Sequence, residues 1–162
     1  MKNKDLIIFL GPSGAGKTTS IQVCLGYKLK EGKINGLKTL VVDGKMIPEH
    51  EDFLTSPSSE SCTRYIKAVK IPEKLIPMGQ PTDIYIGDTA GFEDSAGSEV
   101  DASNGLATIR ALQDAKSIRP ILVINQKCWG ARGEGLKKLA KIISRLFIKY
   151  DRNKIIFLLN CF

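Results

Sequence analysis

The sequence predicts a three-layer α/β domain, with helices on both faces of a mostly parallel sheet, and two observations carry that expectation. Four apolar runs of strand length, at residues 6–10 (LIIFL), 83–87 (DIYIG), 120–125 (PILVIN) and 154–160 (KIIFLLN), lack clean polar alternation. Parallel strands covered on both faces read that way. Segments of helical periodicity fall between them, and strands alternating with helices argue for parallel pairing. A chain of 162 residues with 43% hydrophobic content suits one domain, expected over 1–162.

The first strand, residues 6–10, ends in glycine, and a helix is expected from Gly16 to about Gly26, turning Ile21, Cys24 and Leu25 inward. Residues 27–62 are polar and broken by Gly and Pro, and they read as an insertion with one short strand at 39–42. Residues 65–71 read as the next strand, followed by 83–87. A helix fits 98–115, where Ser98 and Asp101 resemble a capping box and Leu106, Ile109 and Leu112 share a face. After the strand at 120–125, residues 134–150 give the clearest helix. Leu136, Leu139, Ile143, Leu146, Phe147 and Tyr150 form its apolar face, and Lys137, Lys141, Arg145 and Lys149 its solvated back. The strand at 154–160 comes last.

Residues 11–18, GPSGAGKT, satisfy the pattern GxxxxGK[ST] between a strand and a helix. Glycines let the chain curl so that amides from about Gly14 to Thr18 converge on phosphate oxygens, and the helix start adds its dipole. Lys17 supplies a point charge for the β- and γ-phosphates. The Thr18 hydroxyl is a hard oxygen ligand suited to Mg²⁺. Gly11, Ser13, Gly14, Ala15, Gly16, Lys17, Thr18 and Thr19 are therefore the expected nucleotide-binding residues of a P-loop NTPase fold.

The strand at 83–87 runs directly into Asp88-Thr-Ala-Gly91. A carboxylate at the end of a buried strand beside a phosphate loop can hold a metal-bound water. A glycine three positions on lets its backbone N–H approach the γ-phosphate. Asp88 is thus expected near the metal with Thr18, and Gly91, with Lys17, near the reacting phosphate.

DTAGFED resembles the switch II motif of TRAFAC-class GTPases. Together with the upstream Ser61-Cys62-Thr63 it is most similar to the septin and immunity-associated GTPase branch. The resemblance implies a G domain whose switch I, within 27–62 and the residues after it, delivers a threonine to Mg²⁺ and the γ-phosphate. Thr63 is the matching residue, as metal ligand and catalytic group. The implied ligands are GTP and Mg²⁺, with a homodimer or protein effector engaged through the switches. Two departures stand out. Phe92 follows the DxxG glycine where small Ras-like GTPases carry a water-orienting glutamine, so slow intrinsic hydrolysis is expected, with Glu93, Asp94 or a partner residue taking that role. Asn160 matches the first position of the base-reading [NT]KxD motif, but Cys161 replaces the lysine and the aspartate would be residue 163. The domain is therefore expected to be incomplete at its C-terminus, with GTP not separable from ATP by sequence. Asn125-Gln-Lys127 lies one strand too early for that motif and reads as a loop at the nucleotide edge of the sheet.

Two other functions fit the same loop: an ATP-using P-loop kinase or NTPase, and a nucleotide-binding pseudo-GTPase scaffold. An ATP-driven transporter would carry an LSGGQ-type signature, which the sequence lacks. The net charge of +7 reads as a lysine-rich solvated surface plus a phosphate site, with no nucleic-acid partner required. No apolar stretch is long enough to span a bilayer or to serve as a signal-peptide core. Cys24, Cys62, Cys128 and Cys161 are widely spaced, which excludes a CxxC zinc framework and fits reduced thiols in the cytoplasm. His50 sits among acidic loop residues with no catalytic reading. Residues 129–135, with Trp129 and Arg132, read as a glycine-rich turn.

Overall fold

A computed structural model of the chain describes residues 3–51, 53, 66–91, 112–126, 134–146 and 155–160. Its centre is a five-stranded sheet built from β1 (Asp5–Leu10), β4 (Lys67–Lys70), β5 (Ile84–Asp88), β6 (Ser117–Asn125) and β7 (Ile156–Asn160). The spatial order is β4-β5-β1-β6-β7. β5, β1, β6 and β7 run parallel, and only β4 is antiparallel, paired with β5. The expected α/β sheet, mostly parallel, is present.

The apolar runs explain the interior. β1 is central, so both its faces are covered and successive side chains enter different clusters. Leu6, Ile8 and Leu10 cluster with Leu112 and Leu122. Phe9 instead meets Ile86 and Val123, together with Ile21 and Leu25 of helix α1 (Lys17–Cys24). Phe9, Ile8, Leu10, Ile21 and Val123 are each at most 1% exposed. Full burial of such a side chain contributes about 1.5–3 kcal/mol. Helix α2 (Glu134–Leu146) adds Leu139 to the core, with Leu136 and Ile143 packed against it. Among the described residues, no helix is long and apolar enough to cross a membrane.

Several local expectations change. Residues 29–42 form a hairpin of two strands, β2 (Leu29–Ile34) and β3 (Leu37–Val42), in a sheet of their own. Only part of β3 was expected, at 39–42. The turn is Asn35-Gly36, both at positive φ (51° and 80°), the pairing that two-residue hairpin turns favour. Cys24 points outward and is exposed, while Ile21 and Leu25 are buried as expected. The helix expected at 98–115 lies outside the described residues except for 112–114, which are helical. Residues 147–150, at the end of the other expected helix, also lie outside them.

Candidate functional site

The C-terminal ends of β1, β5, β6 and β7 share one edge of the sheet, where open α/β folds hold ligands. The loop after β1 leads into α1, whose first residue is Lys17. Gly14 and Gly16 adopt positive φ (71° and 93°), the left-handed region that the curl requires and that glycine enters without a Cβ penalty. Gly11 is held close to the sheet: a Cβ there would stand 2.3 Å from the Val123 carbonyl oxygen.

Lys17 is only 7% exposed, and its Nζ donates to the carbonyls of Gly11 at 3.0 Å and Pro12 at 2.9 Å. Those bonds fold the ammonium back onto the start of the loop. Ala15 is fully buried, and the Ser20 hydroxyl donates to the Gly16 carbonyl at 2.9 Å, tightening the first turn of α1. Ser13, Thr18 and Thr19 lie on the partly exposed side of the loop and helix start.

Asp88 is the last residue of β5, in register with Phe9 of β1, and is 1% exposed. Thr18 donates from Oγ1 to Asp88 Oδ2 at 2.7 Å, joining residues 70 positions apart. The next residue, Thr89, is fully buried and donates from its hydroxyl to the Phe9 carbonyl at 2.8 Å, so the segment after β5 is tied to the strand that carries the loop. Gly91 then passes directly over the loop: a Cβ on it would lie 2.5 Å from both the Ser13 nitrogen and Cα.

The donor chemistry at this point fits a small hard cation. A hydroxyl oxygen and a carboxylate oxygen 2.7 Å apart approach the separation of adjacent ligands in an octahedron with bonds of about 2.1 Å. No group of three or more His, Cys, Asp or Glu side chains with metal-ligand geometry occurs among the described residues.

The structure thus brings together Gly11, Ser13, Gly14, Ala15, Gly16, Lys17, Thr18, Asp88 and Gly91. Thr63, Phe92, Glu93, Asp94, Trp129 and Arg132 lie outside the described residues. Asn160 ends β7, paired in register with Asn125 of β6; its backbone is described and its side chain is not. Asn125 itself reaches the phosphate loop, donating from Nδ2 to the Gly14 carbonyl at 3.0 Å. Reading Asn125 as part of an edge loop missed that contact. No pattern of spacing signals it, because it depends on how β6 is placed beside β1.

No family model matches the chain, and no curated protein matches it. Among solved structures, it is similar to a chain of the signal recognition particle receptor SRb-GTP/SRX complex from Chaetomium thermophilum, with a TM-score of 0.50. That match has 14% sequence identity and covers 99% of this chain and 70% of the other. At such an identity the likeness is one of fold, and it agrees with the arrangement of sheet, phosphate loop and α1.

Proposed function

We propose that the chain binds GTP with Mg²⁺ in the loop between β1 and α1 and acts as a slow GTPase-type switch. The observation that carries this reading is the Thr18–Asp88 hydrogen bond. It joins the hydroxyl of the phosphate loop to the carboxylate that opens the DTAG segment, beside the buried Lys17 ammonium. A glycine turn with an incidental lysine has no reason to place a buried carboxylate there. The similar solved structure is a complex whose name includes GTP, which agrees with the choice of nucleotide.

In this reading the loop amides from Gly14 to Thr18 and the Lys17 ammonium hold the β- and γ-phosphates. Thr18 and Asp88 would hold Mg²⁺, which would supply positive charge to those phosphate oxygens, and Thr63 is the third oxygen donor that the resemblance implies. The Gly91 N–H senses the γ-phosphate. Water attacks the γ-phosphorus in line, the bond to the β–γ bridging oxygen breaks, and GDP and phosphate leave. Phe92 offers no hydrogen bond to orient that water, so turnover is slow until a partner or second copy completes the site through the switches. The kinship with the septin and immunity-associated branch belongs to this reading and rests on residues 61–63 and 88–92.

Calorimetric titration of the chain with magnesium and non-hydrolysable GTP and ATP analogues tests the proposal. GTP binding is expected, and Lys17→Ala should weaken it at least about a hundredfold, the scale of losing a buried charge-assisted contact. Absence of heat with either nucleotide would overturn the reading. Preference for ATP would shift it to a kinase or other ATP-using NTPase, and tight binding of the analogues with no phosphate released from GTP itself would make the chain a scaffold.

A further inference from the structure

Asn125 is a side chain of a neighbouring strand that hydrogen-bonds the backbone of the phosphate loop. It closes β6, is 6% exposed, and its amide nitrogen meets the Gly14 carbonyl at 3.0 Å. Gly14 needs such a tether. It sits exposed at positive φ, and a Cβ placed on it would find nothing within 4 Å among the described residues, so none of their side chains packs there to limit its motion. An untethered glycine of this kind has the widest choice of backbone conformations of any residue.

The geometry of a trans peptide gives the tether a directional consequence. The C=O and N–H of one peptide unit point in opposite directions across a rigid plane. Holding the Gly14 carbonyl toward β6 therefore turns the Ala15 N–H away from β6 and toward the loop interior, where it approaches the Pro12 carbonyl at 3.3 Å. That contact is long for an N–H···O bond, and a phosphate oxygen is a stronger acceptor for the same amide.

We propose that Asn125 is a positioning residue for polyphosphate binding: it fixes the Gly14–Ala15 peptide so that the loop amides converge before the ligand arrives. This deepens the nucleotide reading above and rests on it. The ligand class is set by the loop alone, so the contribution of Asn125 belongs to the phosphate chain and is independent of the base. Preorganisation of this sort raises affinity by removing an ordering cost that the ligand would otherwise meet.

The test compares wild type with Asn125→Ala and with the nearly isosteric Asn125→Asp, titrating GTP, GDP and inorganic tripolyphosphate in magnesium, alongside melts without ligand. The alanine variant should raise Kd about tenfold for all three ligands, the effect of losing one buried hydrogen bond and leaving its acceptor unmet. The aspartate variant should lose more, because it sets a carboxylate against a carbonyl and adds negative charge beside the phosphates. A merely structural role would lower the ligand-free melt without this common factor across ligands. Two outcomes overturn the inference while leaving the nucleotide reading intact: binding by both variants within twofold of wild type, or a loss confined to the guanosine ligands. Failure of the wild-type chain to bind any of the three would overturn both.

Discussion

At the scale of single residues, the contact between Gly91 and Ser13 constrains the site as tightly as any hydrogen bond. The DTAG backbone crosses the phosphate loop so closely that a methyl group would overlap Ser13 at 2.5 Å, where carbon and nitrogen ordinarily keep well over 3 Å. Gly91→Ala should therefore lift residues 88–91 from the loop, strain the Thr18–Asp88 bond and cost about 1–3 kcal/mol in stability, the range for overpacked sites. A urea melt of the variant matching wild type would show that the segment yields freely. The phosphate loop and DTAG were legible in the sequence because each position answers a local demand, for positive φ, for close approach or for a charge. Asn125 was not, since its partner lies 111 residues away and only the placement of β6 beside β1 brings the two together.

At the scale of elements, the strands with continuous apolar character were legible and the hairpin was not. β2 reads Leu-Lys-Glu-Gly-Lys-Ile, poor in the β-branched and aromatic residues that mark strands, and it is held by pairing with β3 rather than by core burial. Asn35-Gly36 is the hairpin signal in the sequence, and the polar residues on either side of it conceal the strands it joins. Cys24 is at i+3 from Ile21 and faces solvent, whereas Leu25 at i+4 stays on the buried face of Ile21. The segment after the hairpin shows a further device. Tyr27, just past α1, accepts the Ile47 amide proton at its hydroxyl (3.1 Å), and that hydroxyl lies 2.8 Å from His50 Nδ1. Either group of that pair donates, according to the imidazole tautomer. His50 is 3% exposed, and burial holds its pKa below the ordinary value of 6.5, although Glu49 opposes the shift. A histidine depressed in the folded state gives stability that is complete above the unfolded pKa and is lost as pH falls from there toward the folded value. The melting temperature should thus fall between about pH 7 and pH 5 by more in wild type than in His50→Asn, which keeps an acceptor but does not titrate. Parallel pH profiles for the two proteins would refute this role.

At the scale of the whole molecule, the sheet is finished differently at its two sides. β4 lies antiparallel against β5, with Val69 buried and Lys67 and Lys70 beside it. β7 on the other side is apolar over its first four residues: Ile156, Phe157, Leu158 and Leu159 are 45%, 64%, 38% and 66% exposed. Phe157 also borders an apolar cavity of about 570 Å³ between the sheet and α2, lined by Leu122, Ile124, Leu139 and Ile143. No described strand pairs with the outer side of β7, so its backbone groups and its apolar side chains are presented together. An edge with this character templates pairing with another chain, and lysine on an edge strand is the usual means of preventing it. Leu159 is the most exposed of the four, so Leu159→Lys should remove little packing while charging the edge. Sedimentation velocity across a dilution series should show wild type forming larger species toward about 100 µM, and the variant should shift that association upward at least about tenfold in concentration. Nucleotide affinity should be unchanged in the variant, because position 159 precedes the strand end and is two strands from β1. A wild-type chain that stays monomeric throughout the series would mean that β7 is shielded in solution.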